Sequence, residues 1–192
     1  MKKYVLSIAL ALSCLVTLAQ SRIIVDRLDS DTGIRTVATS DLPVRSGMSD
    51  KHPMLVGLIA QQSKDACDYL LHVTFTEFES RAVPVNGVML IRTASGEVLE
   101  LSNILQELDS RDFVGSVVQG TGLIMYKNSA SYRVTLDQLR SMSSGVIKVR
   151  VETASGPFDT VYKKDPFGDA VAAHLAVLAP AMSKKNDIRS DF

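Results

Sequence analysis

The segment from Val146 to Glu152 sets the strongest constraint on this chain, because its apolar and charged side chains alternate: Ile147, Val149 and Val151 fall on one side, Lys148, Arg150 and Glu152 on the other. Successive strand residues point to opposite faces, so this stretch offers one face to a core and one to water. That pattern predicts an antiparallel sheet.

Other β-forming runs follow the same logic, separated by turn chemistry. Arg22 to Leu28 and Gly33 to Thr39 flank Asp29-Ser30-Asp31-Thr32, which predicts a first hairpin. Ser40 to Pro53 lacks periodicity and reads as a loop. Met54 to Ala60 is continuously apolar, and Asp68 to Glu79 predicts a long strand with Tyr69, Leu71, Val73 and Phe75 on one face. Pro84 ends the following run, since it has no N–H for a ladder. Gly87 to Thr93 and Glu97 to Leu101 flank Ala94-Ser95-Gly96, with Gly96 suited to a positive φ. Leu123 to Lys127 and Ser131 to Val134 flank Asn128-Ser129-Ala130, read as a similar turn. A helical turn is expected at Ile104 to Leu108. Thr-Ala-Ser-Gly at 93–96 returns at 153–156 with flanks that do not align, which favours reuse of hairpin chemistry over an internal duplication.

Two segments carry helical signals. Thr135 followed by Gln138 matches a capping box, with Leu136 and Leu139 on one side of one or two turns. Asp165 caps a second helix, expected over about 166–179, with Pro166 at its first position. Phe167, Val171, Leu175, Leu178 and Met182 recur along it at helical spacing until Pro180 interferes. The expected fold is mainly β: a single antiparallel two-layer sandwich of about eight to ten strands, with the C-terminal helix packed on it. A curled partial barrel is the alternative. The domain is expected to span 20–182, followed by a polar tail over 183–192.

The N-terminus gives an address. Lys2 and Lys3 precede an apolar run, Val5 to Leu18, that ends in Thr17-Leu18-Ala19, the layout of a secretory signal cleaved after Ala19. The run is short for a membrane anchor and lacks a basic flank on its far side, and Ala11-Leu12-Ser13 before Cys14 departs from a lipidation signal. A periplasmic or secreted protein without a transmembrane anchor is expected. Taking two lysines from the 21 basic side chains leaves 19 against 21 acidic ones, so a dedicated nucleic-acid binder is not expected. Cys67 then stands alone, and the core rather than a disulfide must hold the domain.

Signatures of chemistry are sparse. No Gly-x-Ser-x-Gly or Ser-x-x-Lys occurs. Cys67 and His72 lie five apart, on opposite faces if both share a strand, and Cys67 reads as a buried structural thiol. His52, His72 and His174 show no metal-ligand spacing, and His174 reads as a partly exposed flank of the last helix. Asp29, Asp31 and Gly33 fit a solvated hairpin better than a calcium loop, whose twelfth position would be Ser40. Glu77 with Glu79, and Asp109 with Asp112, are pairs that any acid-rich chain contains, and no Trp offers a sugar platform. Gly115, Gly120 and Gly122 precede no helix, so a bulge or turn suits them better than a phosphate cradle. No cofactor is expected.

The signal ending Leu18-Ala19-Gln20, the segment from Thr32 to Ser40, the strand–turn–strand from Gly87 to Leu101, Tyr132 to Leu139, Val146 to Thr153 and the helix after Lys164-Asp165 together resemble a group of small exported proteins typical of Bacteroidetes. The resemblance implies a β-rich sandwich-like domain and an envelope address, and carries over no catalytic residue. The function expected is a non-catalytic binding or assembly module that recognises a protein or another envelope component, with Phe167, Val171, Leu175, Leu178 and Met182 as candidate partner-binding residues. An envelope hydrolase of unfamiliar design is the competing class.

Overall fold

The computed structural model describes residues 20–47, 53–77, 81–105, 110–116 and 121–183. The expected signal over 1–19, His52, Glu79, Asp109, Gly120 and the tail over 184–192 lie outside the described residues. The chain is mainly β, and its strands form two antiparallel sheets.

The larger sheet holds β1 (Ile23–Leu28), β2 (Arg35–Thr39), β4 (Met54–Gln62), β5 (Cys67–Glu77), β9 (Thr121–Val134) and β8 (Ser110–Ser116) in that spatial order, with β3 (Leu42–Val44) paired to β4. The smaller runs β11 (Gly156–Val161), β10 (Val146–Thr153), β6 (Val88–Thr93), β7 (Val98–Ser102). Between them sits the core: Val56, Leu58, Leu71 and Val73 from one sheet meet Met89, Ile91, Val149 and Val151 from the other. Phe75 of β5 stacks on Phe158 of β11 with ring centroids 4.5 Å apart. Helices α1 (Leu136–Ser143) and α2 (Pro166–Ser183) complete the fold, and α2 lies against β2, β3 and β4. The sandwich-like class and its C-terminal helix are as the sequence predicts.

Both Thr-Ala-Ser-Gly segments make hairpins, with φ of +90° at Gly96 and +111° at Gly156, conformations that favour glycine. In the first hairpin, Asp29 Oδ1 accepts from the backbone N–H of Asp31 at 2.9 Å, closing the solvated turn.

Several expectations are corrected. The register slips between Val146 and Lys148, so Val146 joins the core while Ile147 is exposed. An extra residue in one strand of a pair breaks strict alternation, and that bulge explains Ile147. Asn128-Ser129-Ala130 is not a turn: β9 runs straight through it. The buried Asn128 is tolerated there because its Oδ1 accepts from Arg81 N–H at 2.8 Å and its Nδ2 donates to Tyr126 O at 3.2 Å. The supposed loop after Ser40 contains β3, whose Leu42 and Val44 are buried around an exposed Pro43. Gly115 and Gly122 face each other inside the β8–β9 ladder rather than making a turn. Of the turn expected at Ile104 to Leu108, Ile104 and Leu105 are not helical, the Ile104 N–H donating to Ser131 O at 2.9 Å, and 106–108 lie outside the described residues. Finally, α2 continues past Pro180 to Ser183, since a proline this close to the end removes one helical hydrogen bond and leaves the rest of the helix intact.

Candidate functional site

Local sequence fixes two helices side by side. Thr135 Oγ1 accepts from Gln138 N–H at 3.2 Å while Gln138 Oε1 accepts from Thr135 N–H at 2.9 Å, the reciprocal cap that starts α1. At the start of α2, Asp165 Oδ1 accepts from Gly168 N–H at 2.9 Å and from Val146 N–H at 2.8 Å, so one carboxylate caps the helix and ties it to β10. Gly168 permits the next contact. A Cβ there would lie 2.7 Å from Met142 O, so only glycine lets the first turn of α2 touch the last turn of α1. The helices therefore run antiparallel, and the second half of α2 passes the first half of α1.

Between those halves lies a groove of 410 Å³. Leu175, Leu178, Ala179, Met182 and Ser183 of α2 form one wall, Leu136 and Arg140 of α1 the other, and Tyr69 of β5 closes it. The Arg140 guanidinium lies on the exposed rim, 3.0 Å from Asp137 Oδ1. Burial, reinforced by a hydrogen bond with Cys67, pushes the Tyr69 phenol up to about 12, so it enters the groove as a neutral hydroxyl. The groove is thus apolar within and carries its charge at the edge.

The predicted stripe divides here. Phe167, Val171 and Leu178 are buried in the core, whereas Leu175 and Met182 are half-buried and face the groove together with the edge of Leu178. Tyr69, Leu136 and Arg140 come from other elements and share no spacing with α2, so no sequence pattern groups them with the stripe. The sequence signal within reach was the capping box, which places α1.

His174 is a second correction: it is wholly buried, not a partly exposed flank. Its Nε2 lies 2.9 Å from Val56 O, which only accepts, so Nε2 carries the proton and Nδ1 receives the Ser21 hydroxyl at 2.7 Å. Neutral imidazole satisfies both partners. Burial lowers the His174 pKa below its ordinary value, against the opposing pull of the Val56 hydrogen bond and the Asp41 charge. The unfolded chain then binds the proton first, so stability is full above about pH 6.5 and declines as pH falls toward the lowered folded value. The contribution is at most about 1.4 kcal/mol per pH unit for one proton. Urea denaturation at stepped pH should show this slope in the native sequence and a flatter one in His174→Gln; equal slopes would remove His174 as its source.

Cys67 and His72 are not brought together. Cys67 is exposed at the first residue of β5 rather than buried, since it sits opposite Gln62 at the end of the β4–β5 hairpin, beyond the cover of the core. Its thiol hydrogen-bonds with the Tyr69 hydroxyl. His72 instead sits among hydroxyls: Nδ1 is 3.1 Å from Ser131 Oγ, and Nε2 is 3.3 Å from Thr74 Oγ1. A serine beside an imidazole is the start of a nucleophile, but Ser131 and Thr74 are each only 2% exposed and are not presented to a substrate. This network joins β5 to β9. Glu77 ends β5 and Asp112 lies on β8. Among the described residues, no group of three His, Cys, Asp or Glu side chains comes together, and no helix is long and apolar enough to cross a membrane.

No family model matches the chain, and neither a curated protein nor a solved structure matches it.

Proposed function

We propose that the protein is an exported binding module, of the kind its sequence resembles among small Bacteroidetes envelope proteins, and that the α1–α2 groove receives an apolar side chain from a protein partner. The observation that carries this reading is the half-buried Leu175 and Met182, which line a 410 Å³ hollow instead of being closed over by their own domain. Concave, mostly apolar clefts with a few polar groups at the edge are the usual form of a recognition site. Arg140 at the rim suits a partner with an acidic residue beside its apolar anchor.

Ala179 is exposed on the groove wall, so Ala179→Arg fills the hollow without touching the core. Peptides selected from a displayed library on the native protein should carry an apolar anchor and lose about tenfold or more in affinity to this variant, equivalent to about 1.4 kcal/mol. Its melting temperature should not change. Peptides that bind both forms equally would place recognition elsewhere.

A further inference from the structure

The open face of the four-stranded sheet carries a different chemistry. Ladder register sets Val98, Arg92, Lys148 and Val161 side by side across β7, β6, β10 and β11. Arg92 and Lys148 are therefore directly opposed like charges, an arrangement that disfavours the sheet on its own account. The next row supplies Asp159, but both of its carboxylate oxygens lie 2.7 Å from Arg150, and Lys148 reaches it only at 3.4 Å. The Arg150 bonds first, and the longer Lys148 contact after them, hold the Asp159 carboxyl down to about 2, so it stays ionised and is shared by Arg150 and, more weakly, Lys148, leaving Arg92 without a carboxylate. Glu100 stands on that same row, at its far edge on β7 and two strands from Arg150, Glu152 lies a row further along, and Glu97 lies in the adjoining hairpin turn; none of the three lines the hollow between the cations. Arg92 has no ion pair among the described residues.

The cations surround a hollow of 190 Å³ lined by Leu90, Arg92, Val98, Lys148 and Arg150. Around this end of the sheet the apolar side chains face water: Val98 is 51% and Val161 62% exposed. Lys163 and Lys164, both exposed, follow directly after β11. A site for a small soluble anion has no use for wet valines. A surface that meets phospholipid headgroups uses both features, cations for the phosphates and aliphatic groups for the boundary beneath them.

We infer that this end of the sheet face docks onto an anionic membrane surface, with lipid phosphates seated between Arg92 and Lys148 and with Val98 and Val161 in contact with the headgroup layer. Guanidinium and ammonium donors around one hollow match phosphate oxygens, and the opposed charges are relieved when the phosphate arrives. This surface is separate from the α1–α2 groove, so a partner can occupy one while lipid occupies the other.

Co-sedimentation with vesicles of phosphatidylcholine, with and without phosphatidylglycerol, tests the inference. The protein should bind the vesicles that contain phosphatidylglycerol, and binding should weaken as salt is raised. Arg92→Gln should lower the partition about fivefold, the effect of one charge near such a surface. Val161→Ser should lower it too. Both positions are on the wet face, so neither variant should melt appreciably below the native chain, Arg92→Gln also relieving the opposed charges, and residues 1–19, where retained, are common to all three proteins. Equal binding to vesicles without phosphatidylglycerol would overturn the proposal, as would an unaffected Arg92→Gln. An effect of Arg92→Gln but not of Val161→Ser, together with competition by inorganic phosphate, would overturn it in favour of a soluble-anion site.

Discussion

Replacing Asn103 with alanine is expected to lower stability by about 3 to 5 kcal/mol, because the amide joins three segments in a site with no access to water. Asn103 is wholly buried at the end of β7 and forms an isolated bridge with Tyr132, which links the smaller sheet to the larger. Its Nδ2 donates to Pro84 O at 3.0 Å, and its Oδ1 accepts from Ser131 N–H at 3.1 Å. Strand β8 pairs with β9 only from Thr121 to Lys127, so beyond that point β9 has lost this neighbour. Asn103 and Ile104 take its place, one receiving the Ser131 N–H and the other donating to Ser131 O. Alanine would leave the Ser131 N–H unpaired in a dry environment as well as a cavity, whereas the exposed Pro84 carbonyl keeps the Gly87 N–H at 2.8 Å. A domain of this size should then melt on the order of 10 °C lower. Asn103→Asp makes the comparison sharper: it keeps the acceptor, loses the donor and buries a charge, so it should be the worse of the two at neutral pH. If Asn103→Ala melts within a degree or two of the native protein, this amide does not hold the sheets together.

Position 103 shows where sequence reasoning stops. A run such as Val98 to Leu101 declares its strand by period alone, since Leu99 and Leu101 are buried while Val98 and Glu100 are exposed. The role of Asn103 depends on partners 19 and 28 residues away, and no local pattern encodes them. Asn128 misled in the same manner. Its turn chemistry is real, but Arg81 N–H occupies the side chain that would otherwise have closed a turn. In both cases a polar residue takes a core position because a distant backbone group satisfies it.

The final helix repeats the lesson within one element. Its apolar residues suggested a stripe of Phe167, Val171, Leu175, Leu178 and Met182, whereas the face that is buried holds Phe167, Val171, His174 and Leu178. Both sets follow the helical period. Choosing between Leu175 and His174 required Ser21 and the Val56 carbonyl, which stand 153 and 118 residues away. Hydropathy favours the leucine; hydrogen bonding brings the histidine inside and leaves the leucine to the groove. That half-buried leucine is the feature from which the candidate site grows, and it was legible as a candidate while its companions Tyr69 and Arg140 were not.

The same division gives the second large effect. Phe167 is wholly buried, 6.2 Å from the ring of Tyr162, in the turn of α2 that meets α1. Truncation to alanine should cost about 3 to 5 kcal/mol, the range for losing a buried aromatic ring and leaving its cavity. Leu175→Ala should cost only about 1 kcal/mol, because much of its side chain already borders the open groove and little new cavity forms. Urea denaturation of the two variants measures the contrast, and the slope of the transition should stay constant if both remain two-state. Partner binding should order them oppositely: at concentrations where both are folded, Leu175→Ala should weaken peptide capture and Phe167→Ala should leave it nearly intact. Equal destabilisation by the two variants would make Leu175 a core residue, and the groove would then lack the exposed apolar wall on which its reading depends.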